Sequence, residues 1–340
     1  MNFETSLARE SAVRQARDAR IGVVIPCYRV KEQILSVLAA IGPEVGSIYV
    51  VDDACPESSG RFVQERVRDS RVRVLFRPEN GGVGAAVMTG YRAALAEGCE
   101  VVVKIDGDGQ MLPTLLPRFV RPILEGRADY TKGNRFFNPV DVQGMPPVRL
   151  FGNTILSFMT KLSSGYWTLF DPTNGYTAIH ARLLAHLPLE RIATRYFFES
   201  DMLFRLGTLR AVVLDIPMPS RYADEVSQLR IPTVLPGFLA GNARNFCKRL
   251  VYNYFLRDFS IASANFIAGI LLFAFGVVFG AWHWMDNAAH GVVTTSGTVM
   301  LAALPVILGL QFLLSFLSYD IASVPAQPVH LLLPERDGKE

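Results

Sequence analysis

Hydrophobic and polar positions fall into two regimes along this chain. Up to residue 232, short apolar runs alternate with longer stretches in which apolar residues recur at helical spacing. Ile21–Ile25, Ser47–Val51, Val72–Phe76, Val101–Ile105 and Asp129–Lys132 read as short buried strands. Lys31–Ile41, Gly60–Arg68, Gly82–Ala96 and Leu112–Leu124 read as the helices between them. That rhythm predicts an α/β domain with a mainly parallel sheet covered on both faces, completed by a later strand at Ala211–Ile216.

From residue 259 the pattern changes. Neither the interval between Asp258 and Asp286 nor that between Asp286 and Asp320 contains an Asp, Glu, Lys or Arg. Phe259–Trp284 and Val299–Leu317 each carry twelve Leu, Ile, Val or Phe residues. About 20 helical residues cross the roughly 30 Å of hydrocarbon in a bilayer. At roughly −0.3 to −0.6 kcal/mol per such residue, either stretch gains several kcal/mol on insertion. Two transmembrane helices, 259–284 and 297–319, are therefore expected. Arg244, Lys248, Arg249 and Arg257 precede the first, Arg336 and Lys339 follow the second, and the loop between has no Lys or Arg. Trp282 and Trp284 mark that far interface. The basic bias orients the chain with its first 258 residues and both termini in the cytoplasm.

Composition sharpens this only in part. Half of the 340 residues are hydrophobic and 19% charged, the excess lying in the two apolar stretches. A net charge of +3 is too small to argue for nucleic acid. Residues 1–20 are charged and lack the apolar core of a signal peptide; they suit a basic helix near anionic lipid or a solvated extension. Cys27, Cys55, Cys99 and Cys247 have no paired spacing, which fits reduced thiols. Between 233 and 258, Phe238, Phe246, Leu250 and Tyr254 recur at helical spacing among the basic residues. This predicts an amphipathic helix in the headgroup layer, in contact with membrane lipids.

The polar motifs gather at the carboxyl ends of the expected strands, where ligands bind in parallel sheets. Pro26-Cys27-Tyr28 follows the first strand, Asp52-Asp53 the second, Asn80-Gly81-Gly82 the third, and Asp106-Gly107-Asp108 the fourth. Two carboxylates so close repel unless a divalent cation lies between them and another anion. An EF-hand counted from Asp106 requires Gly at its sixth position and Glu at its twelfth, and the chain has Met111 and Pro117 there. A cation held by few carboxylates and completed by phosphate oxygens and water fits better, with Gln110 as a neutral ligand or water-orienting group. Gly81-Gly82-Val83-Gly84 lacks the third small residue of a dinucleotide fingerprint. Asp52-Asp53 suits either a strand end or a nucleotide contact. Asp171-Pro172-Thr173-Asn174-Gly175 reads as a turn, and Glu199 and Asp201 suit either a helix N-terminus or catalysis. Arg135, Arg149 and Arg221 stand beside aromatic or loop residues and could clamp a phosphate.

Taken together these residues resemble the inverting family 2 glycosyltransferases, in the dolichyl-phosphate mannose synthase-like branch that glycosylates polyprenyl phosphates. The pattern runs through Val24-Ile25-Pro26-x-Tyr28, Val51-Asp52-Asp53, Asn80-Gly81-Gly82-x-Gly84, Asp106-x-Asp108-x-Gln110, Gly133-Asn134-Arg135, Asp171-x-Thr173-Asn174-Gly175, and Arg221 followed by Ser227. The chain departs from it at Arg29-Val30, where the family has Asn-Glu, at Ala54, where it has Ser, and at Gln228, where a basic residue is common.

The resemblance implies a GT-A-type nucleotide-sugar-binding domain over 21–232 and a two-helix membrane anchor. The interfacial segment 233–258 lies between them and a cytoplasmic tail over 320–340 follows. It implies that Pro26, Tyr28, Asp52, Asp53 and Asp106 bind the donor nucleotide, and that Asp106, Asp108 and Gln110 hold Mg2+ or Mn2+. Arg135, Arg149, Arg221 and Ser227 would receive the acceptor phosphate, with Asp106, Asp108, Glu199 and Asp201 as the catalytic set. The expected reaction is inverting transfer of a hexose from a UDP- or GDP-sugar to a polyprenyl phosphate at a bacterial inner membrane. A synthase adding sugar directly to a glycolipid or polysaccharide, and a non-catalytic sugar-nucleotide-binding scaffold, are the alternatives. Lipid-facing helix surfaces leave room for a homo-oligomer.

Overall fold

The computed structural model describes residues 19–137, 147–219 and 231–334. Arg221 and Ser227 lie outside these residues, as do Arg336, Lys339 and residues 1–18, and of Arg149 only the backbone is described. Seven strands form one sheet: β1 (Ile21–Cys27), β2 (Val45–Asp52), β3 (Val72–Phe76), β4 (Val101–Lys104), β5 (Tyr130–Asn134), β6 (Thr177–His180) and β7 (Val213–Pro217). Their order is β3-β2-β1-β4-β6-β5-β7. β1 pairs in parallel with β2 and with β4, as do β2 with β3 and β5 with β7. β6 alone runs antiparallel, between β4 and β5. The six strands expected from the apolar runs are all present within a few residues. β6 is an addition, for its four residues are too few to establish an alternating pattern.

Helices α1 (Ile34–Ala39), α2 (Ser59–Arg66), α3 (Val83–Ala96) and α4 (Leu116–Leu124) match the four expected ones. Further helices are α5 (Pro147–Ser164), α6 (Ala181–Ala185), α7 (Phe198–Thr208) and α8 (Ile231–Val251). Val23, Ile25, Val50 and Val103 are fully buried on one sheet face, packed with Ile34, Val37, Phe119 and Ile123 of α1 and α4. Each such side chain contributes about 1.5–3 kcal/mol by leaving water.

The chain divides into two compact units, Met1–Asn245 with Pro325–Glu340, and Phe246–Val324. The first thus includes a C-terminal segment that returns to the sheet. Buried Asp129 accepts hydrogen bonds from the backbone of Val212 (2.7 Å), Val329 (2.9 Å) and His330 (2.7 Å), and from His330 Nδ1 (2.6 Å). The His330 ring stacks on His180, centroids 4.1 Å apart.

The second unit is a helical hairpin of α9 (Ile261–His290) and α10 (Ser296–Ala322), both long and apolar enough to cross a membrane. They approach so closely that a Cβ on Gly309 would stand 2.5 Å from the Phe273 amide nitrogen. Small residues permit such approach where helices pack in lipid. At its base Arg249 grips Asp320 through two bonds of 2.6 and 2.9 Å, and Tyr254 donates to the same carboxylate. Of the apolar positions expected to face headgroups, Phe238 packs edge-on against Phe197, and Leu250 and Tyr254 form a buried cluster with Phe316, against which Phe246 packs. The exposed apolar residues of the same segment are others, such as Leu235, Leu239, Val251 and Leu256.

Candidate active site

Between β1 and β4 the strand order reverses direction, the position at which open α/β sheets form a ligand crevice. A cleft of about 570 Å³ opens there. Pro26, Cys27 and Tyr28 from β1, Asp53 after β2, and Asp106 and Asp108 after β4 all border it. Asn80, Gly82 and Val83 close one side, and Arg195 and Tyr196, from the loop before α7, close another.

Asp53 organises the glycine turn. Its carboxylate accepts from the backbone of Gly81 (3.0 Å) and Gly82 (2.7 Å) and from Arg77 Nε (2.9 Å). Asn80 donates back to the Asp53 carbonyl (3.2 Å). Gly82 has φ +92°, and Gly84 and Ala85 donate to the Thr194 carbonyl, the former at 2.8 Å. A side chain at Gly84 would run into the Ala193 carbonyl, so this turn seats the segment that carries Arg195. Asp52 serves a different purpose, for its buried carboxylate accepts from Cys55 and Gly60 N–H at 2.7 Å each. That fixes the loop entering α2 and holds Asp52 off the cleft wall.

Arg29, where the chain departs from the family pattern, is tied to Cys55, the residue after the departure at Ala54. Arg29 N–H donates to Cys55 Sγ (3.1 Å), which contacts Ser59 Oγ (3.2 Å). Burial pushes the Cys55 thiol up, but these donors outweigh it and its pKa falls below the ordinary value. Arg29 stacks its guanidinium 5.5 Å from the Tyr28 ring centroid.

Asp106 and Asp108 face the cleft from opposite sides of Gly107. Asp108 Oδ1 accepts from Gln110 N–H (3.0 Å), so Gln110 shapes the turn through its backbone. Beneath Asp106 lies Lys104, 1% exposed, with Nζ 2.9 Å from Asp106 Oδ1 and 3.3 Å from Glu199 Oε1. Burial alone would depress the Lys104 ammonium, but Asp106 and Glu199 override it and hold the pKa above the ordinary lysine value. Burial raises Glu199, against the opposing pull of Lys104. Gly175 packs directly over Lys104 and Asp106, where any Cβ would collide. The Asp171–Gly175 turn thereby seals the back of the acidic pair.

Asp201 is not part of this cluster. It is 1% exposed and accepts from Ala193 N–H (3.0 Å), Arg205 Nε (3.0 Å) and Asn245 Nδ2 (2.9 Å), as an anchor for the loop before α7. Arg135 forms two bonds of 2.7 and 2.8 Å with buried Asp171, whose carboxyl burial would raise and Arg135 holds low. Sequence reasoning had not singled out Lys104, Arg77, Arg195 or Tyr196. Only Lys104 left a local signal, as a lone cation on a strand of valines just before the acidic pair.

The acidic pair fits a hard divalent ion. Among the described residues no group of three or more His, Cys, Asp or Glu side chains stands ready for a metal, and two carboxylates beside an open cleft leave coordination positions for ligand oxygens and water.

Comparison with known proteins identifies the family. The family described as Glycosyl transferase family 2 matches residues 22–187. An undecaprenyl-phosphate mannosyltransferase from Micrococcus luteus is 30% identical over 203 residues, covering 58% of this chain and 82% of that protein. A UDP-N-acetylglucosamine–dolichyl-phosphate N-acetylglucosaminyltransferase from Methanococcus voltae is 28% identical over 235 residues, 65% of this chain and 93% of that protein. Among solved structures, glucosyl-3-phosphoglycerate synthase from Mycobacterium tuberculosis, in complex with Mn2+, UDP-glucose and phosphoglyceric acid, is similar with a TM-score of 0.50. It is 21% identical, over 71% of this chain and 82% of that one, a likeness of fold that bears out the GT-A-like α/β domain.

Proposed function

Because the chain belongs to glycosyltransferase family 2, we propose that this nucleotide-sugar glycosyltransferase carries a hexose, with inversion, from a UDP- or GDP-sugar to a polyprenyl phosphate at the cytoplasmic face of a bacterial inner membrane. The carrying observation is the strand-end cleft in which Asp106 and Asp108 stand across from the Asp53-anchored glycine turn. The relatives named for polyprenyl-phosphate acceptors support the acceptor class. The two apolar helices support the location, and the basic residues before them support the orientation.

In this reading Tyr28 and Pro26 bound the donor base, and the glycine turn offers the donor backbone rather than side chains. Asp106 and Asp108, with Gln110 completing their turn, would hold Mg2+ or Mn2+. A bound ion would supply Lewis-acid neutralisation of the diphosphate leaving group. Lys104 fixes the direction of Asp106 and keeps Glu199 beside it. An acceptor phosphate is already anionic near neutral pH, so Glu199 orients rather than deprotonates, and the gain comes from alignment and electrostatics. Arg149, Arg221 and Ser227 are the acceptor set, Arg135 being bonded to Asp171.

The test is a donor screen with purified full-length protein, Mn2+ or Mg2+ and undecaprenyl phosphate in detergent, reading labelled sugar in the lipid phase. One nucleotide-sugar is expected to transfer, and Asp108→Ala to lose at least roughly 100-fold in rate. Absence of transfer from every common UDP- and GDP-sugar would sink the reading.

A further inference from the structure

A second groove, of about 540 Å³, lies beside the cleft in the same unit. Its floor is the small-residue face of α8, Gly237, Ala240 and Gly241, and its wall is the Phe197 ring packed edge-on against Phe238. Two arginines border it, Arg195 and Arg244. Both are exposed, and neither side chain has a hydrogen bond or ion pair among the described residues. Arg77, Arg135 and Arg205 of this unit are, by contrast, each committed to a carboxylate, of Asp53, Asp171 and Asp201 respectively. Arg195 and Tyr196 also border the donor cleft, so the two spaces share a wall.

That wall is rigid. Thr194 is bonded to the glycine turn, Ala193 to Asp201, and Asp201 in turn to Asn245 of the α8 helix. Two uncommitted guanidinium groups at an aromatic-walled, apolar-floored groove complement one kind of ligand, a phosphate monoester on an apolar chain.

We infer that this groove is an acceptor subsite. Arg195 and Arg244 hold the phosphate of a prenyl phosphate, and Phe197, Phe238 and the small face of α8 seat its first isoprene units. The inference rests on the polyprenyl-phosphate reading above and adds two arginines to its acceptor set. Arg195 then presents the phosphate across a single side chain to the donor cleft.

Calorimetric titration of the purified full-length protein with a ten-carbon prenyl phosphate tests it, with inorganic phosphate and the matching prenyl alcohol as parallel probes. The prenyl phosphate is expected to bind at least about tenfold more tightly than either probe. Arg244→Glu, which reverses the charge, and Ala240→Trp, which fills the groove from an exposed helix position, should each weaken it by about tenfold or more. In turnover assays both variants should raise the acceptor KM and leave the donor KM in place. Binding of inorganic phosphate as tight as that of the prenyl phosphate, or unchanged affinity and acceptor KM in both variants, would overturn the inference while leaving transfer itself intact. Failure of the wild-type protein to transfer to any polyprenyl phosphate would instead overturn the function it rests on.

Discussion

Lys104 occupies the last position of a strand whose other members are valines, and its ammonium is almost wholly removed from water. It is tolerable there only because two carboxylates, Asp106 and Glu199, meet it within 3.3 Å. Lys104→Met keeps the volume and deletes the charge, leaving both carboxylates without their cation. The expected cost is roughly 3 kcal/mol, at the low end for a broken buried pair because Asp106 retains solvent contact. A clearly lower melting temperature of the purified protein, with loss of sugar transfer, is the predicted outcome; an unchanged melting curve would mean that the backbone alone holds the cluster. Asp52 and Asp53 give the contrary lesson. Adjacent and chemically identical, they divide, one capping the loop into α2 and the other tying the glycine turn to the cleft. Nothing in an Asp-Asp dipeptide distinguishes these roles, because the partners are backbone N–H groups that only the folded loops bring near.

At the scale of elements, the hairpin offers the sharper test. Gly309→Leu places a branched side chain against the backbone around Phe273, whereas Gly297, at the start of α10, has only the Thr295 hydroxyl at 3.9 Å. Faster hydrogen exchange along α9 and α10 is expected for Gly309→Leu and not for Gly297→Leu; equal behaviour would show that the helices do not depend on that contact. The sequence made the elements legible wherever the signal was local. The strands β1 to β5, the acidic ends of β2 and β4, and both apolar helices followed from periodicity and charge within windows of a few residues. α5 was not read although Phe151, Ile155 and Phe158 recur at helical spacing; these remain exposed, and its buried positions are small polar residues, Ser157, Thr160 and Ser163, which carry no apolar signal. The acidic pair could be placed for the same local reason. Arg195 could not, since it reaches the cleft from a loop about ninety residues downstream by docking on Gly82 and Gly84.

At the scale of the whole molecule, the returning C-terminal segment makes stability depend on pH. Burial first, then the neighbouring His330 and Arg182, lower His180 to about 4, with Asp129 pulling the other way. A histidine held neutral in the fold and titrating near 6.5 when unfolded stabilises fully above about pH 6.5. That contribution is lost progressively as pH falls from 6.5 to about 4. Burial raises Asp129, but His330 and the backbone donors outweigh it and hold it low, so its share is lost only at more acidic pH. Melting temperature is therefore expected to drop between pH 6.5 and 4 and to drop less in His180→Asn, which retains a side-chain acceptor for Arg182 N–H; parallel curves would assign the dependence elsewhere. The same segment also imposes an order on biosynthesis. Asp129 is synthesised 200 residues before Val329 and 201 before His330. At about 5–20 residues per second it waits on the order of 10–40 s for those donors. Both apolar helices have left the peptidyl-transferase centre by then. A chain that stalls or is cut within the hairpin keeps a buried carboxylate three donors short, so the last bonds beside β5 close only on a protein whose apolar hairpin is already made.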